Sequence, residues 1–203
     1  MAAVQHSPRV TVAEYVAMEE ASAERLELDD GVVRAMAGAS LNHERICINV
    51  GSGLLTRLAG KPCDVFNSGA KLAVRESDSF FYPDVMVVCG EIVRHDELKE
   101  SVANPVVVIE VVSPSTERID RGRKMHVYRS IPELKVYAIV AQDYAQVDVY
   151  RRMDDGGWRI DTVDGLDATL KLDPIGVEIA MAEIYARVEF PTLPEPAPEE
   201  ETA

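Results

Sequence analysis

The stretch Val106-Val107-Val108-Ile109-Glu110-Val111-Val112 decides how the rest of this chain reads. Six of its seven residues are β-branched, and Asn104-Pro105 before it and Ser113-Pro114 after it bound the run. That pattern predicts a buried central strand. Side chains alternate along a strand, so Glu110 points the same way as Val106, Val108 and Val112. A lone ionised carboxylate in such a place costs several kcal/mol unless a cation or strong donors meet it. Something must compensate the charge, and candidates lie on both sides.

Upstream, Phe80-Phe81-Tyr82-Pro83-Asp84-Val85-Met86-Val87-Val88 repeats the arrangement, with Asp84 at the start of an apolar strand. Downstream, Pro114-Ser115-Thr116 opens the polar segment Glu117–Ser130, which contains Asp120, Arg121, Arg123, Lys124 and Tyr128. Thr116 or Ser115 is the candidate N-cap of a helix there. Gly122 weakens that helix by about 1 kcal/mol relative to alanine without forbidding it. Glu110 lies three residues before Ser113, roughly 10 Å at about 3.3 Å per residue. Lys124 lies about seven residues into the helix, again roughly 10 Å at about 1.5 Å per residue. If the helix folds back along its strand, the two groups come level.

Two strand acids and a lysine at one locus suit metal-dependent cleavage of phosphodiesters. Carboxylate oxygens hold Mg²⁺ or Mn²⁺ and leave positions for water and phosphate. The ion lowers the pKa of a bound water and neutralises phosphate charge. A lysine, as a compact point charge, stabilises the transition state or orients the attacking water. Taken singly, each residue has an ordinary reading: Asp84 as a strand-entry residue, Glu110 as partner of a structural arginine, Lys124 as a solvated helix lysine.

The same residues carry a family resemblance. Pro83-Asp84, then Glu110-Val111-Val112-Ser113-Pro114-Ser115-Thr116, then Asp120-x-x-x-Lys124-x-x-x-Tyr128 follow one another in the order of the Uma-two family. That family lies within the PD-(D/E)XK restriction-endonuclease-like superfamily. Ile131-Pro132-Glu133-Leu134-Lys135-Val136-Tyr137 continues the match, and Arg25–Gly31 and Ser40–Ile46 fit the family's opening pattern. The resemblance spans about Thr11 to Val188. It implies a restriction-endonuclease-like fold, Asp84 and Glu110 as metal ligands, Lys124 as the catalytic lysine, and a homodimer. The wider superfamily usually carries its lysine two residues after the glutamate, where this chain has Val112. The Uma-two pattern moves that lysine to the following helix, where Lys124 stands. His43 falls at a position the resemblance marks, near the start of a helix. It either orients water or phosphate near the metal or serves as a structural, hydrogen-bonded histidine.

Length and composition predict one restriction-endonuclease-like α/β (α+β) domain over residues 1–190, a mixed sheet flanked by helices, and a Pro-rich acidic disordered tail over residues 191–203. No run approaches the roughly 18 apolar residues of a membrane span, and the N-terminus carries no signal-peptide core. Cys47, Cys63 and Cys89 are odd in number and widely spaced. They read as reduced thiols in a cytoplasmic protein, neither a disulfide framework nor a zinc site. The net charge is −14, and setting aside tail residues Glu195, Glu199, Glu200 and Glu201 takes it to −10. Such an excess opposes nonspecific DNA binding, so weak affinity is expected. Arg118, Arg121, Arg123 and Lys124 offer a local basic strip.

Outside the central run, Thr11 and Glu14 form a capping box for a helix to about Glu20. Asp29-Asp30-Gly31 marks a hairpin between Leu26–Leu28 and Val32–Met36. Ser40 caps a helix to about Ala59, with Leu41, Cys47, Leu54, Leu55 and Leu58 as its apolar content and Gly51 and Gly53 as points of close packing. Strands follow near 64–67 and 71–75, then, after the Lys124 helix, near 134–141, 146–152, 158–162 and 169–172, with a last helix near 181–186. Glu27 points away from Leu26 and Leu28, toward either a site rim or solvent. Tyr128, one turn after Lys124, either hydrogen-bonds toward the site or packs, with packing the favoured reading, and Trp158 reads as core or surface packing.

Three functions compete. The first is an endonuclease that cuts DNA with Mg²⁺ or Mn²⁺. The second is a catalytically silent nuclease-fold protein acting as a binding or regulatory module, which the acidic charge favours. The third is a nuclease whose DNA affinity comes from another chain.

Overall fold

The structure, a computed structural model, describes residues 9–36, 38–113 and 116–191. Most of the expected acidic tail, residues 192–203, and the candidate cap Ser115 lie outside the described residues. Helix α1 (Val12–Ala21) precedes the hairpin β1 (Leu26–Asp29) and β2 (Val32–Ala35), helix α2 (Leu41–Leu58), and strands β3 (Cys63–Asn67), β4 (Lys71–Val74) and β5 (Ser79–Phe81). Strands β6 (Val85–Cys89), β7 (Ser101–Val102) and β8 (Val107–Val112) lead to a helical segment over residues 117–128. Then come β9 (Val136–Ala141), β10 (Gln146–Arg152), β11 (Trp158–Asp164), β12 (Thr169–Leu172), β13 (Val177–Ala180) and a helical turn at Met181–Ile184.

The six-stranded sheet runs β11-β10-β9-β8-β6-β3, and the five-stranded sheet β2-β1-β5-β4-β7. Strand β8 is parallel to β9 and antiparallel to β6, which makes the sheet mixed. All six residues of β8 are buried, as its β-branched run predicts. Val107, Ile109 and Val111 face α2, packing with Ile46, Val50 and Leu54. Val108 and Val112 face the other way, toward Met125, Tyr128, Leu72 and Phe81. Val106 lies before the strand begins and packs with the first cluster. Helix α1 covers the far side of the five-stranded sheet, with Tyr15 against Phe80.

Several local expectations are met in detail. Thr11 and Glu14 form both halves of the capping box. Asp30 and Gly31 both take positive φ, as a tight hairpin of matching twist requires. Others are corrected. The strand expected at Tyr82–Val88 begins later, at Val85, just after Asp84, and the Phe80-Phe81 before it belongs to a strand of the other sheet: Pro83 has no N–H for a ladder, so pairing lapses after β5 and resumes in β6. In α2 the buried stripe is Ile46, Val50, Gly53, Leu54 and Leu58, while Leu41 and Leu55 lie on the opposite, exposed face. A Cβ on Gly53 would come 2.9 Å from Glu183, so that glycine does mark close packing, whereas Gly51 has open space.

The cysteine expectation is overturned for two of the three. Cys63 and Cys89 pair directly across β3 and β6, with Cα atoms 4.0 Å apart, and form a disulfide. Only cross-strand register brings them together, across a separation of 26 residues. Cys47 is a free thiol. Disulfides are rare in reducing compartments, so the thiols no longer support a cytoplasmic location. No helix among the described residues is long and apolar enough to cross a membrane.

Candidate active site

The site forms where the chain passes between the two sheets. Beyond the pair Val85↔Ile109, the same register sets Asp84 opposite Glu110. Facing residues of an antiparallel pair leave one face of the sheet together. Asp84 Oδ2 accepts the Val111 N–H at 2.7 Å, and Glu110 Oε2 lies 3.4 Å from the Asp84 amide nitrogen. Both residues are buried.

The compensation that the buried Glu110 demands comes from the segment after its strand. Lys124 Nζ donates to Glu110 Oε1 at 3.0 Å, and the Tyr128 hydroxyl donates to the same oxygen at 2.9 Å. The segment is not one regular helix. It is α-helical at Glu117–Ile119, π-helical over Asp120–Lys124 and α-helical again at Met125–Tyr128. π-turns are rare and concentrate at functional sites. Here the wide turn carries Asp120 and Lys124 to the same place, 3.3 Å apart. Thr116 occupies the N-cap position, but its hydroxyl accepts from the Ser113 amide instead of capping the helix.

Two further acids and a histidine complete the cluster. Glu27 on β1 faces away from Leu26 and Leu28, accepts the Tyr82 N–H at 3.1 Å, and stands 3.7 Å from Lys124. That places it at the site and not in solvent. His43 is held in the first turn of α2 by the Ser40 cap, and its Nε2 lies 3.2 Å from Asp84 Oδ1. Asp84, Glu110, Lys124 and His43 are therefore brought together. Asp120, Glu27 and Tyr128 join them. The spacing of Asp120, Lys124 and Tyr128 one helical turn apart and the strand alternation at Glu27 hinted at it. For Tyr128 the hydrogen bond to the site accompanies the favoured packing role.

Three carboxylates, Glu110, Asp120 and Glu27, thus surround one ammonium group, and Asp84 stands beside Glu110. Burial pushes the Glu110 carboxyl up to about 8; Lys124 opposes the rise, and Asp84, Asp120 and Glu27 add to it. Asp120 is raised as well, first by burial. Burial disfavours the Lys124 charge, but Glu110, Glu27 and Asp120 outweigh it and raise its pKa, so the lysine stays protonated. His43 is also raised: burial works against the imidazolium, and Asp84 overcomes it. An excess of hard oxygen donors, destabilised by mutual repulsion and burial, is the chemistry that suits a divalent cation such as Mg²⁺. Glu110 Oε2 meets the Asp84 amide only at 3.4 Å, whereas Asp84 Oδ1 faces His43 Nε2 at 3.2 Å.

The cluster forms the floor of an open cleft of about 770 Å³. Of the expected basic strip, Arg123 and Lys124 line it, and both are already paired with acids. Arg123 is spent on a bidentate pair with Asp29, and Arg121 on Glu117 and Asp148. Each carboxylate lies within hydrogen-bond reach and neutralises its guanidinium. Lys124 is buried among acids. The cleft's basic residues include Arg25 and Arg34, from the hairpin and its approach. Arg152 stacks on Trp158 away from the site, in keeping with a packing role for that ring.

The sequence profile of Uma2, described as "Putative restriction endonuclease", matches residues 12–182. Two curated proteins of Synechocystis sp. are similar over most of the chain. One, slr1290, is 34% identical over 183 residues, covering 90% of this chain and 95% of the relative. The other, sll1609, is 34% identical over 162 residues, covering 80% and 92%. The crystal structure of a "putative nuclease belonging to DUF820" from Anabaena variabilis superposes with a TM-score of 0.70 at 15% identity, over 87% of this chain and 97% of that one. The fold is therefore that of a nuclease-like protein, and the chain belongs to the Uma2 family.

Proposed function

We propose that this protein is a divalent-cation-dependent endonuclease that hydrolyses phosphodiester bonds in DNA. Asp84 and Glu110 are the ligands of Mg²⁺ or Mn²⁺, and Lys124 is the catalytic lysine. The observation that carries this reading is the pair of facing buried carboxylates with an ammonium 3.0 Å from one of them. The family match supports the nuclease class.

When bound, the ion supplies Lewis acidity and charge neutralisation at the phosphate. The chain's own residues do the rest. Lys124 is protonated and cannot act as a base; its charge stabilises the negative charge that develops on phosphate oxygens. The Val111 amide fixes the Asp84 carboxylate, and Tyr128 fixes that of Glu110. His43 orients Asp84 from the opposite side. Arg25 and Arg34 at the cleft provide positive charge for the nucleic-acid backbone.

Incubation of supercoiled and linear DNA with the purified protein and Mg²⁺ or Mn²⁺ tests the reading. Cleavage is expected, and Asp84→Ala, Glu110→Ala and Lys124→Ala should each abolish it. The proposal fails if no DNA is cut and the three variants behave as the parent does; a silent binding module then becomes the better reading.

A further inference from the structure

His43 and Cys47 stand four residues apart on α2, so their side chains share one face of that helix. That face meets Asp84. His43 Nε2 lies 3.2 Å from Asp84 Oδ1, and Cys47 Sγ lies 3.5 Å from His43 Nδ1. One ligand atom from each of His43, Cys47 and Asp84 falls within 4.8 Å of the other two. We propose that these three residues form a binding site for a thiophilic divalent cation, zinc above all, which shares Asp84 with the Mg²⁺ site and excludes Mg²⁺ when filled.

The donor set and its spacing argue for this ion. Zinc takes thiolate sulfur at about 2.3 Å and imidazole nitrogen at about 2.0 Å, with tetrahedral angles. Those lengths set sulfur and nitrogen roughly 3.6 Å apart, against 3.5 Å between Cys47 Sγ and His43 Nδ1. Asp84 Oδ1 meets the other ring nitrogen, 3.2 Å from Nε2, so a single ion requires the imidazole or the carboxylate to turn until one nitrogen joins the thiolate and the carboxylate around it, within a cluster whose ligand atoms lie no more than 4.8 Å apart. Three protein ligands leave a fourth position, and both His43 and Asp84 line the cleft from which water or substrate would fill it. A thiolate discriminates for zinc and against magnesium, whereas Glu110, Asp120 and Glu27 on the other side of Asp84 have the opposite preference. Cys47 loses its thiol proton to solvent as zinc binds, so the S–H bond is exchanged for an S–Zn bond with no change of oxidation state. Asp84 Oδ2 is held by the Val111 amide at 2.7 Å, so Oδ1 is the oxygen either ion would take, and the two ions compete for it. Zinc therefore acts as a competitive inhibitor; this consequence rests on the endonuclease reading, while the site itself does not.

The test uses the full, non-reduced, metal-stripped chain. Cobalt chloride is titrated in as a spectroscopic stand-in for zinc, and absorption is recorded for the parent, Cys47→Ser and Cys47→Ala. A thiolate-to-cobalt charge-transfer band is expected in the parent and not in either variant. Zinc affinity, measured against a chromophoric chelator, should fall at least about tenfold in both variants. Zinc chloride should displace bound Mn²⁺ from the parent, read by electron paramagnetic resonance, and should do so far less effectively in Cys47→Ser. Absence of the band, or a band that survives both substitutions, overturns the proposal. Failure of Mg²⁺ to support DNA cleavage, with the cobalt band present, would refute only the endonuclease reading. Cleavage without the band would refute only the zinc site.

Discussion

Asp84 and Glu110 occupy facing positions at the end of the β6–β8 ladder, one step past Val85↔Ile109, so two buried carboxylates stand side by side on one face. Like charges directly opposite one another destabilise a sheet. Their persistence here depends on the positive charge of Lys124 and on the amide and hydroxyl donors that meet them.

Neutralising either acid with little change of shape should separate function from stability. In Asp84→Asn and Glu110→Gln, Mn²⁺ affinity by calorimetric titration is expected to fall at least about tenfold. DNA cleavage should fall by roughly a hundredfold or more. The melting temperature of the metal-free variants near pH 7 should not drop: Asp84→Asn removes a negative charge beside Glu110, and Glu110→Gln replaces a carboxyl that burial already keeps largely protonated below about 8. A large drop without metal would show that the acids are structural.

Lys124 is the counter-charge that lets the acids remain buried. Lys124→Met should destabilise the metal-free protein by about 3–5 kcal/mol in urea unfolding, since it leaves buried carboxylates uncompensated. Added Mn²⁺ should restore part of that loss. Lys124→Arg keeps the charge but not the compact geometry. It should fold and cut poorly.

Glu110 makes metal-free stability depend on pH with a definite sign. Its folded pKa of about 8 lies above the ordinary 4.5, so the folded state binds the proton more tightly than the unfolded state. The stability this contributes is complete below about pH 4.5 and is lost as pH rises through 8. The raised pKa of Asp120 acts in the same direction. Urea midpoints measured without metal should therefore fall between pH 5 and 8. In Glu110→Gln the slope should flatten, and saturating Mn²⁺ should flatten it in the parent.

Arg25 and Arg34 line the cleft and are both exposed. Arg25→Ala and Arg34→Ala should each weaken DNA binding uniformly across sequences. Each should also lower the slope of log affinity against log salt by about one. Arg121→Ala, whose guanidinium is already neutralised by Glu117 and Asp148, should leave that slope unchanged.

Much of the fold follows from local patterns. The β-branched run around Glu110 produced the fully buried β8, Asp30-Gly31 produced the hairpin turn, and Thr11 with Glu14 produced the first helix boundary. These depend on neighbours in the chain and on a period of two or 3.6 residues, which the sequence displays directly. The misreadings were non-local. The exposed Leu41 and Leu55 and the buried Ile46 and Val50 differ only in which face of α2 meets the sheet. The Cys63–Cys89 disulfide depends on the register between β3 and β6.

The sequence by itself determined that Glu110 would be buried in a strand, that Asp84 would enter a neighbouring one, and that a lysine-bearing helix would follow. A carboxylate within an apolar run carries its own demand for compensation, so the need for a partner was written locally. Only the tertiary structure decided who answers it. The π-turn over Asp120–Lys124, the return of Glu27 from β1, and the arrival of His43 and Cys47 from α2 come from elements distant in the chain. Their convergence is set by sheet register and helix rotation, and those depend on how the whole core packs.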